Sequence, residues 1–442
     1  MEHMKKQYEH YERARQVMPG GVNSSTRLNS AIKIPLYVSH AKEDKLYDLD
    51  GNEYIDMCCA HGAGLLGNAH PAIAAALEKT VELGMCNALE TVYHEELARA
   101  ICESIPCAER VRFVNSGSEA TLHLIRLCRA YTGRKKIIRM EGHFHGYHES
   151  IYIGGQVPPE TLEQNKEHPV VESVGIPEEF ASLIVPIPFN DIEAFDKAVE
   201  KHGDDAAAVI LEPICFNSGG LKPYPGYLEH IRKVTAEKGI LLFFDEVQAS
   251  FKTNPGGAQG FFGITADVCS FGKSIGGGLP LSGFAGKKEI MDCLKPVGNC
   301  QHSGTFNAAL PSIMAGLAFM GEIRKEGFYS RLEELGSFLY NGIDAIIEKH
   351  DLNMVVPHHG ARFNIVFGRK TEPRNYEDTF THDRDVMRRF CKGCFERGVY
   401  FHDYGGGPAH HGYSIAHTKE SLQKVLDVME EVLVDMKAEG LC

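Results

Sequence analysis

The 442-residue chain contains no tryptophan, no apolar run long enough for a membrane helix and no cluster of lysine and arginine. A bilayer-spanning helix needs about 18 or more consecutive apolar residues, so nothing here is expected to span a membrane. With 46 basic against 59 acidic residues, the formal net charge is −13. That balance lacks the basic face of a nucleic-acid binder, and solubility is a sufficient reason for it. The opening MEHMKKQYEHYERARQVMPGG is charged and without the apolar core of a signal peptide. The 13 cysteines then read as reduced, buried thiols of a cytoplasmic protein.

What is present is an α/β rhythm. Residues 6–17 have the spacing of a short amphipathic helix, ended by Pro19-Gly20-Gly21. IKIPLYVSHAKEDKLYDLDGNEYIDM alternates apolar and polar residues around Asp50-Gly51, a hairpin signal. Helical stretches at 71–84, 93–105, 118–132, 191–202 and 225–238 then alternate with short apolar runs: RVRFVN, KKIIRM, AAAVILEP, GILLFFDE, DVCSFG and LSGFAG. Strands alternating with helices predict a largely parallel sheet. After about residue 308 come two long helical patterns, the strand ARFNIVFG, the helix DRDVMRRFCKGCFERG, and a final strand and helix. These predict a second, smaller α+β domain. The expected division is a large domain over 60–320 and a small one built from 1–59 and 321–442.

Four segments carry chemistry. In FFDEV, Asp245 and Glu246 end an apolar run, where parallel sheets place ligands, although a solvated turn reads the same way. In SFGKSIGGG, Lys273 stands between a strand and three glycines. A confined lysine loses its proton more easily and becomes a nucleophile toward carbonyls; a surface lysine in a flexible turn is the plain alternative. VNSGSEAT joins a strand to a helix whose first N–H groups could hold phosphate, or could simply be capped by Ser116 or Ser118. Gly62-Ala63-Gly64-Leu65-Leu66-Gly67 matches G-x-G-x-x-G, with Glu90 farther on, but Asn68-Ala69-His70-Pro71 delays the helix beyond the last glycine. A metal reading is open to His143, His145 and His148, to the pairs His358–His359 and His410–His411, and to Cys391 with Cys394. No H-E-x-x-H occurs and one C-x-x-C is insufficient, so no metal is expected.

In chain order, PGGVNSSTR, YDLDGNEYID, GNAHP, NSGSEAT, EGHFHGYHE, LEPI, FDEVQ, GGAQGFFGITAD, FGKSIGGGLP and SGTF resemble the class III aminotransferases of fold type I. The subgroup containing glutamate-1-semialdehyde aminomutase and its aminotransferase relatives is the most similar. The resemblance implies pyridoxal 5'-phosphate, held by Lys273 as a Schiff base, with Asp245 paired to the pyridinium nitrogen. It also implies that Gly117 and Ser118 cradle the phosphate, that Phe144 stacks on the ring, and that Gln248 lies by the ring hydroxyl. Glu212 and Asn217 line the wall. Thr305 reaches the phosphate of a neighbouring subunit, which implies a homodimer with shared active sites. Arg27 falls where the subgroup binds the substrate carboxylate, and His61 lies in the substrate loop. The substrates implied are a small amino acid and a keto acid.

The chain departs from the aminomutases on the substrate side. They carry a tryptophan in the loop that aligns near His61, and a glutamate at about Ala409, beside His410 and His411. They also carry Ser-Gly-Asn-Pro after the Gly-Thr pair. His61-Gly62-Ala63-Gly64 resembles the D-phenylglycine transaminase loop more, and SGTFN the β-amino-acid enzymes. The expectation is ping-pong transamination, with intramolecular amino transfer as the alternative and a non-enzymatic or dinucleotide-binding protein as a third reading.

Overall fold

The computed structural model describes residues 4–441. Its central sheet has seven strands, in the order Arg110–Val114, Ser282–Gly286, Val268–Phe271, Leu241–Asp245, Ala206–Leu211, Lys136–Met140 and Ile184–Ile187. Only Ser282–Gly286 runs against its neighbours. Every residue of Ala206–Leu211 and Leu241–Asp245 is buried, as expected of strands covered by helices on both faces. The six apolar runs picked out from the sequence are all strands. The seventh, Ile184–Ile187, went unrecognised because Pro186 interrupts it; it sits at the sheet edge, where a missing N–H is tolerated.

The helices fall where the periodicity put them, among them Pro71–Leu83, Val92–Ser104, Gly117–Thr132, Ile192–His202 and Tyr227–Lys238. Among the described residues, no helix is long and apolar enough to cross a membrane. The hairpin around Asp50-Gly51 forms as Lys45–Asp48 paired with Glu53–Asp56. Val399–Tyr400 adds to it in parallel, so the two ends of the chain share one small sheet. ARFNIVFG splits in two: Arg362–Asn364 pairs with His410–Gly412, and Val366–Phe367 pairs with Met354–Val355. This split turns a polar face, Arg362, Asn364 and His410, toward the carboxyl ends of the central strands. There Asn364 Nδ2 donates to the Phe216 carbonyl at 2.7 Å.

Candidate active site

Five parallel strands deliver side chains at their carboxyl ends. Arg110–Val114 leads into Gly117 and Ser118, Lys136–Met140 into the loop 141–149, Ala206–Leu211 into Glu212, Leu241–Asp245 into Gln248, and Val268–Phe271 into Lys273. Asp245 pairs in register with Ser270, three residues before Lys273. The Ser270 hydroxyl donates to Asp245 Oδ1 at 2.8 Å, and the Val247 N–H donates to the same oxygen at 3.1 Å. His145 Nδ1 lies 2.8 Å from Asp245 Oδ2. Burial lowers the His145 pKa although Asp245 opposes it, and the carboxylate partner places a proton on Nδ1. His145 Nε2 is left buried without a partner among the described residues.

Lys273 has φ +52°, a conformation non-glycine residues hold only when the surroundings enforce it. Its pKa is drawn down to about 8, first by burial and then by the charge of Arg362, while Glu212 and Asp245 oppose the shift. The amine is therefore far more available as a nucleophile near neutral pH than an ordinary lysine.

Close approaches bind the remaining segments together. A Cβ on Gly117 would lie 3.0 Å from Val247 Cγ1, which seats the start of helix Gly117–Thr132 against the Asp245 strand end. A Cβ on Gly146, at φ +106°, would lie 2.8 Å from Ser118 Cα. The missing side chain lets loop 141–149 close over that helix start and sets the half-buried Phe144 beside it. Ser116 caps the helix by accepting from the Glu119 N–H at 3.3 Å. Glu212 fixes the loop by accepting the Phe144 N–H at 2.8 Å and the Asn217 amide at 3.0 and 2.9 Å. Burial, and then the charge of Asp245, push Glu212 up to about 8.

His61 sits in a left-handed turn in which Cys59, Ala60 and His61 have φ of 47°, 51° and 55°, followed by Gly62 at 92°. Left-handed geometry costs about 1–2 kcal/mol per non-glycine residue, so this turn must be held by its contacts. His61 Nδ1 is 2.6 Å from the Tyr404 hydroxyl, and the His61 carbonyl faces Gln248 Nε2 at 3.4 Å. Burial, then the charges of His402, Lys273, Arg362 and Arg27, press the His61 pKa to about 2. Arg27 is exposed; the carbonyl of its neighbour Thr26 takes a hydrogen bond from His402 Nε2 at 2.6 Å. Thr305 is also exposed, in the loop before helix Leu310–Ile323; Asn307 of that loop accepts from Asn115 Nδ2 at 3.0 Å.

Sequence reasoning did not single out Arg362, Lys252, His402 or Tyr404, all of which gather on this side. His145 falls in the motif EGHFHGYHE and His410 beside the position of the aminomutase glutamate, but the sequence assigns neither a partner. The glycines at 62–67 face protein atoms rather than a ligand groove. A Cβ on Gly62 would collide with Gln248, one on Gly64 would lie 3.2 Å from the Cys59 carbonyl, and one on Gly67 would lie 3.0 Å from the Glu43 oxygen. The following helix begins only at Pro71.

His143, Glu212 and Cys215 bring possible metal-ligand atoms within 4.8 Å of one another. Most of their atoms are already engaged, while His143 Nε2 is buried without a partner among the described residues. His143 Nδ1 accepts the Glu212 N–H at 2.9 Å, and burial holds the Cys215 thiol protonated by raising its pKa.

The residues suit an anionic, planar aldehyde cofactor. A nucleophilic lysine, an ordered carboxylate, an aromatic ring and a helix start lie at neighbouring strand ends. Gln248 Oε1 and His145 Nε2 remain buried without partners among the described residues.

The model of the family described as "Aminotransferase class-III" matches residues 28–433. Over 427 residues the chain is 37% identical to a glutamate-1-semialdehyde 2,1-aminomutase of Methanosarcina acetivorans, covering 96% of this chain and 97% of that one. Among solved structures, it is similar to an omega-transaminase from Sphaerobacter thermophilus, with a TM-score of 0.89, 29% identity and 98% of each chain covered. A beta-phenylalanine aminotransferase from Variovorax paradoxus gives 0.86 at 26% identity, covering 98% of this chain and 95% of that one.

Proposed function

The chain belongs to the class III aminotransferase family, whose enzymes use pyridoxal 5'-phosphate, and from that membership we propose that it transfers an amino group between an amino acid and a keto acid. The observation that carries this reading is the convergence of Lys273, Asp245 and the Gly117–Ser118 helix start at the strand ends. Pyridoxal phosphate, when bound, supplies an electron-accepting ring that stabilises negative charge on the carbon bearing the amine.

The chain's own residues do the rest. Lys273 Nζ is the covalent anchor, and once released it takes a proton from one carbon and returns it to another. Asp245, oriented by His145 and Ser270, presents a negative oxygen to the pyridinium nitrogen. The N–H groups of Gly117 and Ser118, with the Ser118 hydroxyl, hold the phosphate. Phe144 covers the ring, and Glu212 with Asn217 fixes the backbone of Phe144. Gln248 faces the ring hydroxyl. Thr305 of the partner subunit completes the phosphate site, and its exposure in this chain supports a homodimer. Arg27 and His61 face the substrate. A large domain over 60–320, with a small one from 1–59 and 321–442, is supported by the pairing of Val399–Tyr400 with Glu53–Asp56.

A second reading, intramolecular amino transfer, is favoured by the identity to the aminomutase. Omission of the keto acid separates the two. Transamination stops after one equivalent of donor, whereas an aminomutase continues to turn over glutamate-1-semialdehyde with no acceptor. Conversion of amino acids only when a keto acid is present is the expected result; sustained turnover without one selects the second reading.

A further inference from the structure

Arg362 is 1% exposed, yet no carboxylate lies within ion-pair distance of it among the described residues. A guanidinium brought into the interior without a counter-charge is strongly disfavoured. Its hydrogen-bond partners are neutral. Nη1 donates to the Cys58 carbonyl at 3.2 Å, and Nη2 donates to the His410 carbonyl at 3.3 Å and, more closely, to His410 Nδ1. Of five N–H donors, the Nε–H has no acceptor, and one Nη1–H is left over as well.

The nearby carboxylates are occupied. Asp56 accepts the N–H groups of Cys58 and Cys59 at 3.0 and 2.9 Å, Asp245 is held by His145 and Ser270, and Glu212 by Phe144 and Asn217. The neighbouring Lys252 offers no counter-charge: its Nζ donates to the Gln248 carbonyl at 2.5 Å, and burial draws its pKa well below that of an ordinary lysine. Arg362 is also the largest charge acting on Lys273, so it stands within electrostatic reach of the reacting amine. The chain makes room for it. Gly412 pairs directly with Arg362, and a Cβ there would collide with the guanidinium.

We propose that Arg362 receives a carboxylate of the substrate deep in the pocket, so that with Arg27 at the rim the site selects amino and keto acids bearing two carboxylates. This rests on the reading of the pocket as an amino-transfer site. The missing counter-charge of the interior is then supplied by the substrate, and a compound lacking that carboxylate leaves Arg362 unpaired.

The test is calorimetric binding of glutarate to the cofactor-loaded enzyme, against its neutral diamide. Glutarate has no amine, so its binding is read whether or not any donor turns over. A change of the visible spectrum on adding a panel of amino acids reports the amino-transfer reading separately. Wild type is expected to prefer glutarate to the diamide by tenfold or more. Arg362→Met is expected to weaken glutarate about 10- to 100-fold while leaving the diamide unchanged, the scale of a lost charged hydrogen bond. Arg362→Lys, which keeps the charge without the planar fork, is expected to lie between. If Arg362→Met fails to fold, the wild-type comparison and the lysine variant decide. Equal binding of acid and diamide by wild type, or unchanged glutarate binding in a folded variant, overturns the proposal.

Discussion

His145 Nδ1 lies 2.8 Å from Asp245 Oδ2, and both side chains are buried. The contact spans 100 residues of sequence and ties the loop after one strand to the end of another. It orients the carboxylate that would face the cofactor nitrogen. Replacing Asp245 by Asn is expected to cost several orders of magnitude in kcat, because the ring loses the charge that keeps its nitrogen protonated. Replacing His145 by Ala removes only the orienting partner, and a loss of about 10- to 100-fold is expected, the usual scale for such support. Steady-state kinetics of the two variants checks the ranking; a His145 variant as impaired as the Asp245 one contradicts it.

The lowered pKa of Lys273 fixes a pH dependence. Only the neutral amine attacks the cofactor aldehyde, and burial moves its pKa from 10.5 to about 8. Attachment of pyridoxal phosphate to the apoenzyme is therefore expected to quicken as pH rises toward 8 and to level off above it. Stopped-flow absorbance follows the rate. A rate still climbing toward pH 10 means that the lysine is not perturbed.

Gly62 tests the tight packing of the left-handed turn. Its φ is +92°, and a Cβ would collide with Gln248. Gly62→Ala is expected to destabilise the protein by roughly 1–3 kcal/mol and to weaken substrate binding through displaced Gln248 and His61. Thermal unfolding and KM measure the two effects.

Thr305 is exposed in its own chain, yet is assigned to a phosphate site. Thr305→Val is expected to weaken cofactor binding about tenfold without changing the fold. Under the proposed sharing of the site between two subunits, cofactor loss is also expected to increase on dilution. Concentration-dependent fluorescence of released cofactor reads both.

The sequence revealed the sheet because six of its strands are compact apolar runs, five of which end in or are followed directly by glycine or an acidic residue. Lys273, Asp245 and the Gly117–Ser118 turn were legible for the same reason: each sits at a strand end, where local spacing fixes position. Ile184–Ile187 was hidden by Pro186, which only an edge strand tolerates. Arg362 was hidden differently. It lies in an apolar run, ARFNIVFG, whose alternation assigns it to a polar face, but nothing local states that the face is buried. That depends on the pairing with His410–Gly412, 48 residues away. His145 carried a signal, a histidine-rich loop, whose partner was equally remote.

The central claim is that Lys273 anchors pyridoxal phosphate opposite Asp245. Its most direct test is the visible spectrum of the purified holoenzyme before and after borohydride, followed by peptide mapping. The account predicts a visible band that disappears on reduction and a pyridoxyl group recovered on Lys273, with no such adduct in Lys273→Ala. A colourless protein that cannot be reconstituted, or an adduct on another lysine such as Lys252, contradicts it.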